Sequence, residues 1–468
     1  MSEKNKTIFI ILDGLDYRYI ENNRKKYPFF DELINGEKLL PLDSVVPADS
    51  IPSWTTIYTG LNPAEHGVLE SIDYLDFKHK VKGDYSAITG KSFFDRLGNK
   101  GKKVLVYNPF MAYPAWKVNG VMVCGPVFEG GDVSVYGDVD KEKLPPLGGL
   151  VDHPTKKTMK KFYEDTVKLT EAQFDGFLEL YEKDDYDLGF LGVTTPDRIQ
   201  HFLWRYCDET DVTFVKNSPL KNAIAETYAY AEKRVSEIFE KYGDRNVIVI
   251  SDHGHGKRCE KTFYVNRFLI KEGFIPQKSF KKRATEWLKN ATFRFLAKTR
   301  SVERGTRFFK KFRFAHKVKN ADYVFNNDAK IYAPKFDGVN PFGGISVNES
   351  KCADGEYEKL RTEIIEKLLA VRDGDKKVVL WAKRREDIYD GCKARNYPDV
   401  VYRMDENYGA DRGLFGKRLF GINPTHEIVS GGHRFTGVIM SNREDVKEIT
   451  SVLQIHDYVI KVTGGKDA

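Results

Sequence analysis

The stretch NVIVISDHGHG, residues 246–256, decides the fold. A short apolar, β-branched run with no polar alternation breaks off at a serine, an acid and two glycine–histidine steps. Such a run is too short for a helix and reads as a strand buried on both faces. The same pattern recurs at residues 8–12, 103–107, Gly120–Cys124 and Leu188–Val193. Amphipathic helical stretches lie between these runs. One covers residues 157–181, with Tyr163, Val167, Phe174, Leu178 and Tyr181 at helical spacing; another covers 222–242 and stops at Gly243. Strand and helix in alternation predict an α/β fold with a mostly parallel sheet and helices on both faces.

In such sheets ligands bind at the carboxyl ends of the strands, so the residues that follow each run carry the functional information. They are Asp13, the segment TTPDRIQH (residues 194–201) and SDHGHG (residues 251–256). Asp197 and His201 are four apart and share one face of a helix starting near Pro196, a spacing able to chelate one metal ion. The alternative is an acid favouring the helix dipole with a chance histidine. Asp252 and His253 are adjacent and would diverge unless the chain turns, which Gly254 and Gly256 permit. His255 reads as an outer-sphere or surface residue. His433, in GGHRFTGVIM, stands at the mouth of a further strand-like run; taken singly it could be an ordinary loop histidine. Taken together, Asp13, Asp197, His201, Asp252, His253 and His433 are nitrogen and oxygen ligands at one predicted edge. Two divalent ions a few ångströms apart would relieve the repulsion among the three acids.

Size and composition are those of a soluble globular protein: 468 residues, 41% hydrophobic and 31% charged. The N-terminal MSEKNK is polar and the apolar run after it is too short for an export signal or a spanning helix. Five scattered cysteines without a CxxC point to free thiols in a reducing compartment. The expected location is cytoplasmic, peripheral at the inner membrane surface if the basic segment docks there. That segment, residues 278–319, holds fifteen Lys and Arg against two acids, +13, which leaves −6 for the rest of a chain of net charge +7.

The motifs IILDGLD, SIPSWTTIYTGLNPAEHGV, SFFDRLGNKGKKVLVYNPFMAYPAWKVNGVMVCG, TTPDRIQHFLW, VIVISDHGHG, FYVNRFLIKEGFI and SGGHRFTGVIM, in this order, resemble the alkaline phosphatase superfamily. Within it they resemble the type I phosphodiesterase/nucleotide pyrophosphatase branch, and its group of predicted phosphohydrolases or phosphomutases. The resemblance covers most of the chain outside the basic segment. It implies an alkaline-phosphatase-like sandwich and two divalent metal ions, zinc first and manganese as the alternative. One ion would lie on Asp197, His201 and His433, the other on Asp13, Asp252, His253 and the nucleophile. It also implies that the nucleophile is the Ser or Thr two residues before the Pro of SIPSW, which is Ser50, with Ser53 and Ile51 as substrate contacts. The family usually carries Asn at position 53 to hold a phosphate oxygen; the serine here has shorter reach. No Cys/Ser-x-Pro-x-Arg sulfatase pattern stands at the nucleophile.

Pro52 places a helix start near Ser50, whose amides and dipole would face a phosphate. The bland alternative makes Ser50 the N-terminal cap. Ser53, Thr55 and Thr56 fall inside that helix, and His66 is expected to end it. The implied reaction is a phosphodiesterase or pyrophosphatase reaction on a phosphate-ester substrate through a phosphoseryl intermediate. Phosphomonoesterase or phosphomutase chemistry fits the same residues. From another class, the chain could be a membrane- or polyanion-binding protein with a vestigial site.

The basic segment shows two amphipathic patterns: Trp287, Leu288, Ala291, Phe295 and Leu296, then Phe308, Phe309, Phe312 and Ala315, broken near Gly305. It would dock on anionic lipid, cover a polyanionic substrate, or pack as a lid with solvated charges. No specific nucleic-acid motif accompanies it, and oligomeric state is not legible. The expected organisation is a catalytic core begun by residues 1–256, a helical basic insertion over 257–325, and completion of the core by 326–468, including the last metal-binding histidine.

Overall fold

The computed structural model describes residues 5–68, 88–126, 132–147, 154–276, 329–334, 336–337, 340–413, 418–423, 426 and 429–464. The basic segment 278–319, with both amphipathic patterns, lies outside the described residues. The chain forms two compact units, one of residues 1–256 and 433–468, the other of residues 257–432.

The first unit is built on an eight-stranded sheet. Its chain order is β1 (Thr7–Leu12), α1 (Tyr17–Asn22), α2 (Pro28–Asn35), β2 (Leu39–Asp43), α3 (Ser50–Thr59), α4 (Pro63–His66), α5 (Phe93–Asn99), β3 (Val104–Tyr107), β4 (Gly120–Cys124), β5 (Ser134–Tyr136), α6 (Met159–Tyr181), β6 (Leu188–Val193), α7 (Thr195–Cys207), α8 (Ala223–Lys241) and β7 (Asn246–Ile250). After the second unit the chain returns with the strand Thr436–Ser441 and the helix Ile455–Val462. Across the sheet the order is β2, Thr436–Ser441, β7, β1, β6, β3, β4, β5. The five central strands, β7 to β4, pair in parallel, and the outer pairings are antiparallel. These five are the five apolar runs of the sequence. Every residue of β1, β6, β3 and β7 is buried, as expected of strands covered on both faces.

Side-chain alternation divides the two faces. Phe9, Ile11, Phe190, Ile248 and Ile250 join Trp54 and Tyr58 of α3, Phe93 and Phe94 of α5, and Ile455 and Val459 of the last helix in one core. Phe190 lies in edge-on or tilted ring contact with Phe9, Tyr58, Phe93 and Phe94 at centroid distances of 5.7, 5.9, 5.9 and 6.4 Å. On the opposite face, Gly189 lets α6 approach: a Cβ there would lie 2.5 Å from the ring of Tyr181.

The second unit has its own core. An antiparallel sheet runs in the order Ile331–Tyr332, Phe342–Val347, Val400–Met404, Val379–Arg384. Ile345, Val379, Val400 and Tyr402 pack with Ile364 and Leu368 of the helix Glu356–Leu369. A smaller sheet sets Lys261–Tyr264 between Tyr408–Asp411 and Phe420–Ile422. The apolar positions of residues 257–432 close sheets of their own, and residues from His433 onward belong to the first unit. Among the described residues no helix is long and apolar enough to cross a membrane.

Phe190 is fully buried among four aromatic rings. Phe190→Ala should lower the unfolding free energy by about 3–5 kcal/mol in denaturant titration. A loss below about 1 kcal/mol would contradict this packing.

Candidate active site

Strand register sets the site. Leu12 pairs with Val193 and Ile11 with Ile250, so the residues after β1, β6 and β7 emerge at one level. The Asp13 N–H donates to the Val193 carbonyl at 2.9 Å, holding the first acid against the second strand. Gly14 then turns with φ +76°, and a Cβ there would stand 3.0 Å from the Asp197 Cβ, so the close approach of these two segments requires glycine. Its carbonyl accepts from Gln200 Nε2 at 2.7 Å.

Helix α7 begins directly after β6, with Pro196 in its first turn. Asp197 and His201 lie one turn apart on one face, their Oδ2 and Nε2 atoms 3.2 Å apart. Beyond β7, the Ser251 hydroxyl donates to the His253 carbonyl at 2.5 Å, closing the turn that aims both Asp252 and His253 inward, each fully buried. His253 Nδ1 donates to the Gly254 carbonyl at 3.0 Å, which leaves the lone pair on Nε2. His433 is arranged alike: Nδ1 donates to the Ala48 carbonyl at 3.0 Å, and Nε2 lies 3.0 Å from His201 Nε2 and 3.5 Å from Asp197 Oδ1.

Ser50 is the first residue of α3, not its cap. Asp49 caps the helix by accepting from the Ile51 N–H at 3.1 Å, so the Ser50 hydroxyl is released from that duty. Ser50 Oγ sits 2.9 Å from His253 Nε2 and 3.3 Å from Asp13 Oδ1. The other hydroxyls of the stretch point elsewhere. Thr55 donates to the Ile51 carbonyl, and Ser53, fully buried, donates to the Asp252 carbonyl at 2.8 Å. Ser53 therefore braces the Asp252 turn. The Ile51 N–H is likewise taken by Asp49, and its side chain packs on Met111. His66 ends α4 rather than α3, and its Nε2 lies 3.1 Å from Thr56 Oγ1.

Two groups of side chains present nitrogen and oxygen atoms mutually within 4.8 Å: Asp197, His201, His255 and His433, and Asp13, Asp197 and His253. Asp252 adjoins the second, with Oδ2 3.4 Å from His253 Nε2 and without a hydrogen-bond donor. Metal–ligand bonds of 2.0–2.1 Å imply ligand–ligand edges of about 3.3 Å around a tetrahedral ion. The 3.2 Å from Asp197 Oδ2 to His201 Nε2 and the 3.0 Å from His201 Nε2 to His433 Nε2 are close to that edge, and the donor set suits a divalent metal ion. The sequence left His255 between an outer-sphere and a surface position, and the structure buries it beside the cluster. It is buried, with Nε2 3.4 Å from Asp197 Oδ1. The signal that favours the buried alternative is its i, i+2 spacing from His253 in an extended segment, which returns the side chain to the same side.

Electrostatics agree with a site built for cations. Burial, then the neighbouring Asp252 and Asp197, pushes the Asp13 carboxyl well above its usual range. Burial raises Asp252 from 3.8 to about 7 and lowers His253 from 6.5 to about 3. Burial also acts to raise Asp197, but His201 and His433 beside it outweigh burial and hold it low. The raised Asp252 contributes stability below about pH 4 that is lost as pH climbs through 7, where the carboxylate must ionise in a dry site. An entering cation must displace that proton below pH 7 and needs to displace none above it. Zinc affinity measured by chelator competition should therefore be at least about tenfold tighter at pH 8 than at pH 6. Equal affinity at the two values would contradict the buried, mutually repelling acids.

Comparison with known proteins places the chain. The family model for type I phosphodiesterase/nucleotide pyrophosphatase matches residues 7–414. Ectonucleotide pyrophosphatase/phosphodiesterase family member 1 is 23% identical over 276 residues in both the Mus musculus and Rattus norvegicus proteins, an alignment covering 57% of this chain. The chain spans about a quarter, 26%, of the length of those relatives. The crystal structure of phosphonoacetate hydrolase from Sinorhizobium meliloti 1021 in complex with phosphonoacetate aligns with TM-score 0.58 at 15% identity, covering 98% of this chain and 96% of that one. That likeness shows a shared alkaline-phosphatase-like fold. With a family match running from β1 past the second unit's core, the chain belongs to the type I phosphodiesterase/nucleotide pyrophosphatase family of the alkaline phosphatase superfamily.

Proposed function

We propose that the chain is a metal-dependent phosphohydrolase, a phosphodiesterase or pyrophosphatase that works through a phosphoseryl intermediate on Ser50. The observation that carries this reading is the position of Ser50 Oγ. It stands at the first turn of α3, freed from capping by Asp49 and 2.9 Å from His253 Nε2 in the ligand cluster. Asp197, His201 and His433 would hold one divalent ion, and Asp13, Asp252, His253 and Ser50 a second, zinc or alternatively manganese. Bound there, such ions lower the pKa of a hydroxyl and neutralise phosphate charge.

The residues divide the remaining work. Ser50 Oγ forms the bond to phosphorus as the ester P–O bond breaks, and the departing alcohol takes up a proton. Water then cleaves the phosphoseryl ester and Ser50 regains its hydroxyl hydrogen. That hydrogen faces two acceptors, His253 Nε2 and Asp13 Oδ1. The start of α3 adds its positive dipole end beside the anionic substrate. Burial of Asp252 and His253 keeps water from screening these charges.

Ser53 supports keeping phosphomonoesterase or phosphomutase chemistry as a second reading. Its hydroxyl is used by the Asp252 carbonyl, so this position supplies no evident grip on a diester phosphate. The converging, buried ligand set argues against a vestigial site.

Ser50→Ala should cut zinc-dependent hydrolysis of bis(p-nitrophenyl) phosphate by at least about 10³-fold with an unchanged circular dichroism spectrum. A loss of less than tenfold would remove Ser50 as nucleophile. Faster turnover of p-nitrophenyl phosphate than of the diester by the wild-type enzyme would favour the monoesterase reading.

A further inference from the structure

Three histidines that face the cluster do not carry their protons alike. In His253 and His433, Nδ1 donates to a backbone carbonyl, so each Nε2 offers a lone pair. His255 is the reverse. The indole Nε1–H of Trp204 lies 3.2 Å from His255 Nδ1, inside the protein. An indole N–H can only donate, so Nδ1 of His255 must accept, and a neutral imidazole then carries its hydrogen on Nε2. That Nε2 faces Asp197 Oδ1 at 3.4 Å. Both atoms are buried and unsatisfied, so a small closure of this gap would pair them, although His433 Nε2 also lies 3.5 Å from the same oxygen.

We infer that His255 is a positioning residue, not a metal ligand: locked by Trp204, it donates Nε2–H to Asp197 Oδ1 and fixes which carboxylate oxygen faces the metal. The inference rests on the metal reading proposed above. Proximity alone would make His255 a fourth ligand beside Asp197, His201 and His433, since its ring centroid lies 4.7 Å from that of His201 and 5.8 Å from that of His433. The hydrogen-bond chain decides otherwise. Metal coordination through Nε2 would need its lone pair free, which the Trp204 contact denies to a neutral ring. Asp197 is the acid common to both ligand groups, so its orientation matters to both. A carboxylate with one oxygen tied by a donor presents the other, Oδ2, which already lies toward His201.

Two measurements on the full chain test this. In ¹⁵N-histidine-labelled protein, long-range ¹H–¹⁵N correlation, with His255 assigned through its loss in His255→Gln, should show hydrogen on Nε2 both without metal and with zinc. Hydrogen on Nδ1, or loss of the Nε2 hydrogen when zinc is added, would overturn the inference. In chelator competition, His255→Gln, whose amide N–H₂ can still donate, should stay within about threefold of wild-type zinc affinity, and His255→Leu should weaken it about 10–100-fold. Wild-type affinity in His255→Leu would overturn the inference, as would loss of one full zinc equivalent in both variants. Failure of the wild-type protein to take up metal would instead defeat the metal reading, and the metal-free spectrum would then judge the Trp204–His255–Asp197 chain by itself.

Discussion

Asp13, Asp197 and Asp252 are 2%, 7% and 0% exposed and stand together at one edge of a parallel sheet. Three carboxylates taken out of water beside one another would be strongly destabilising unless protonated or neutralised. Burial holds His253 and His255 neutral, so these two histidines supply no compensating charge. The cations proposed above would relieve this constraint, and the local structure holds the donor atoms in place. The strand register, the Gly14 turn, the Ser251 hydrogen bond and the backbone anchors of His253 and His433 each fix one donor atom.

Much of the framework was legible because parallel strands buried on both faces leave a continuous apolar signature. All five central strands carry it. The outer strands do not: β2 reads LLPLD, interrupted by a proline and half exposed, and β5 has only three residues. The site was legible in its parts but not its assembly. Asp197 and His201 announce themselves by helical spacing, whereas His433 joins them across more than two hundred residues through tertiary structure alone. The resemblance to a known family supplied that link. Ser50 as a cap was a fair local reading until Asp49 took the role. His255 stayed open between an outer-sphere and a surface position, because an alternation of glycine and histidine resembles turn chemistry, and only the contact with Trp204 gives it a place.

The separation of the second unit follows from physics that spacing does not reveal. Residues 257–432 contain enough apolar positions to close their own sheet and helix, so they form a compact body. The family match extends into this region, to residue 414, which ties most of the second unit to the same lineage. Family and fold leave the reaction partner open, since one scaffold hosts several chemistries and the site decides between them. Here the deciding features are local: the placement of Ser50, and a serine at position 53 that faces the protein.

The central claim is that this cluster holds two divalent ions. Anomalous diffraction at the zinc edge, from crystals of the full chain grown with zinc, tests it most directly. The account predicts two peaks, one bounded by Asp197, His201 and His433 and the other by Asp13, Ser50, Asp252 and His253. A single peak, or zinc bound only away from these residues, would contradict it.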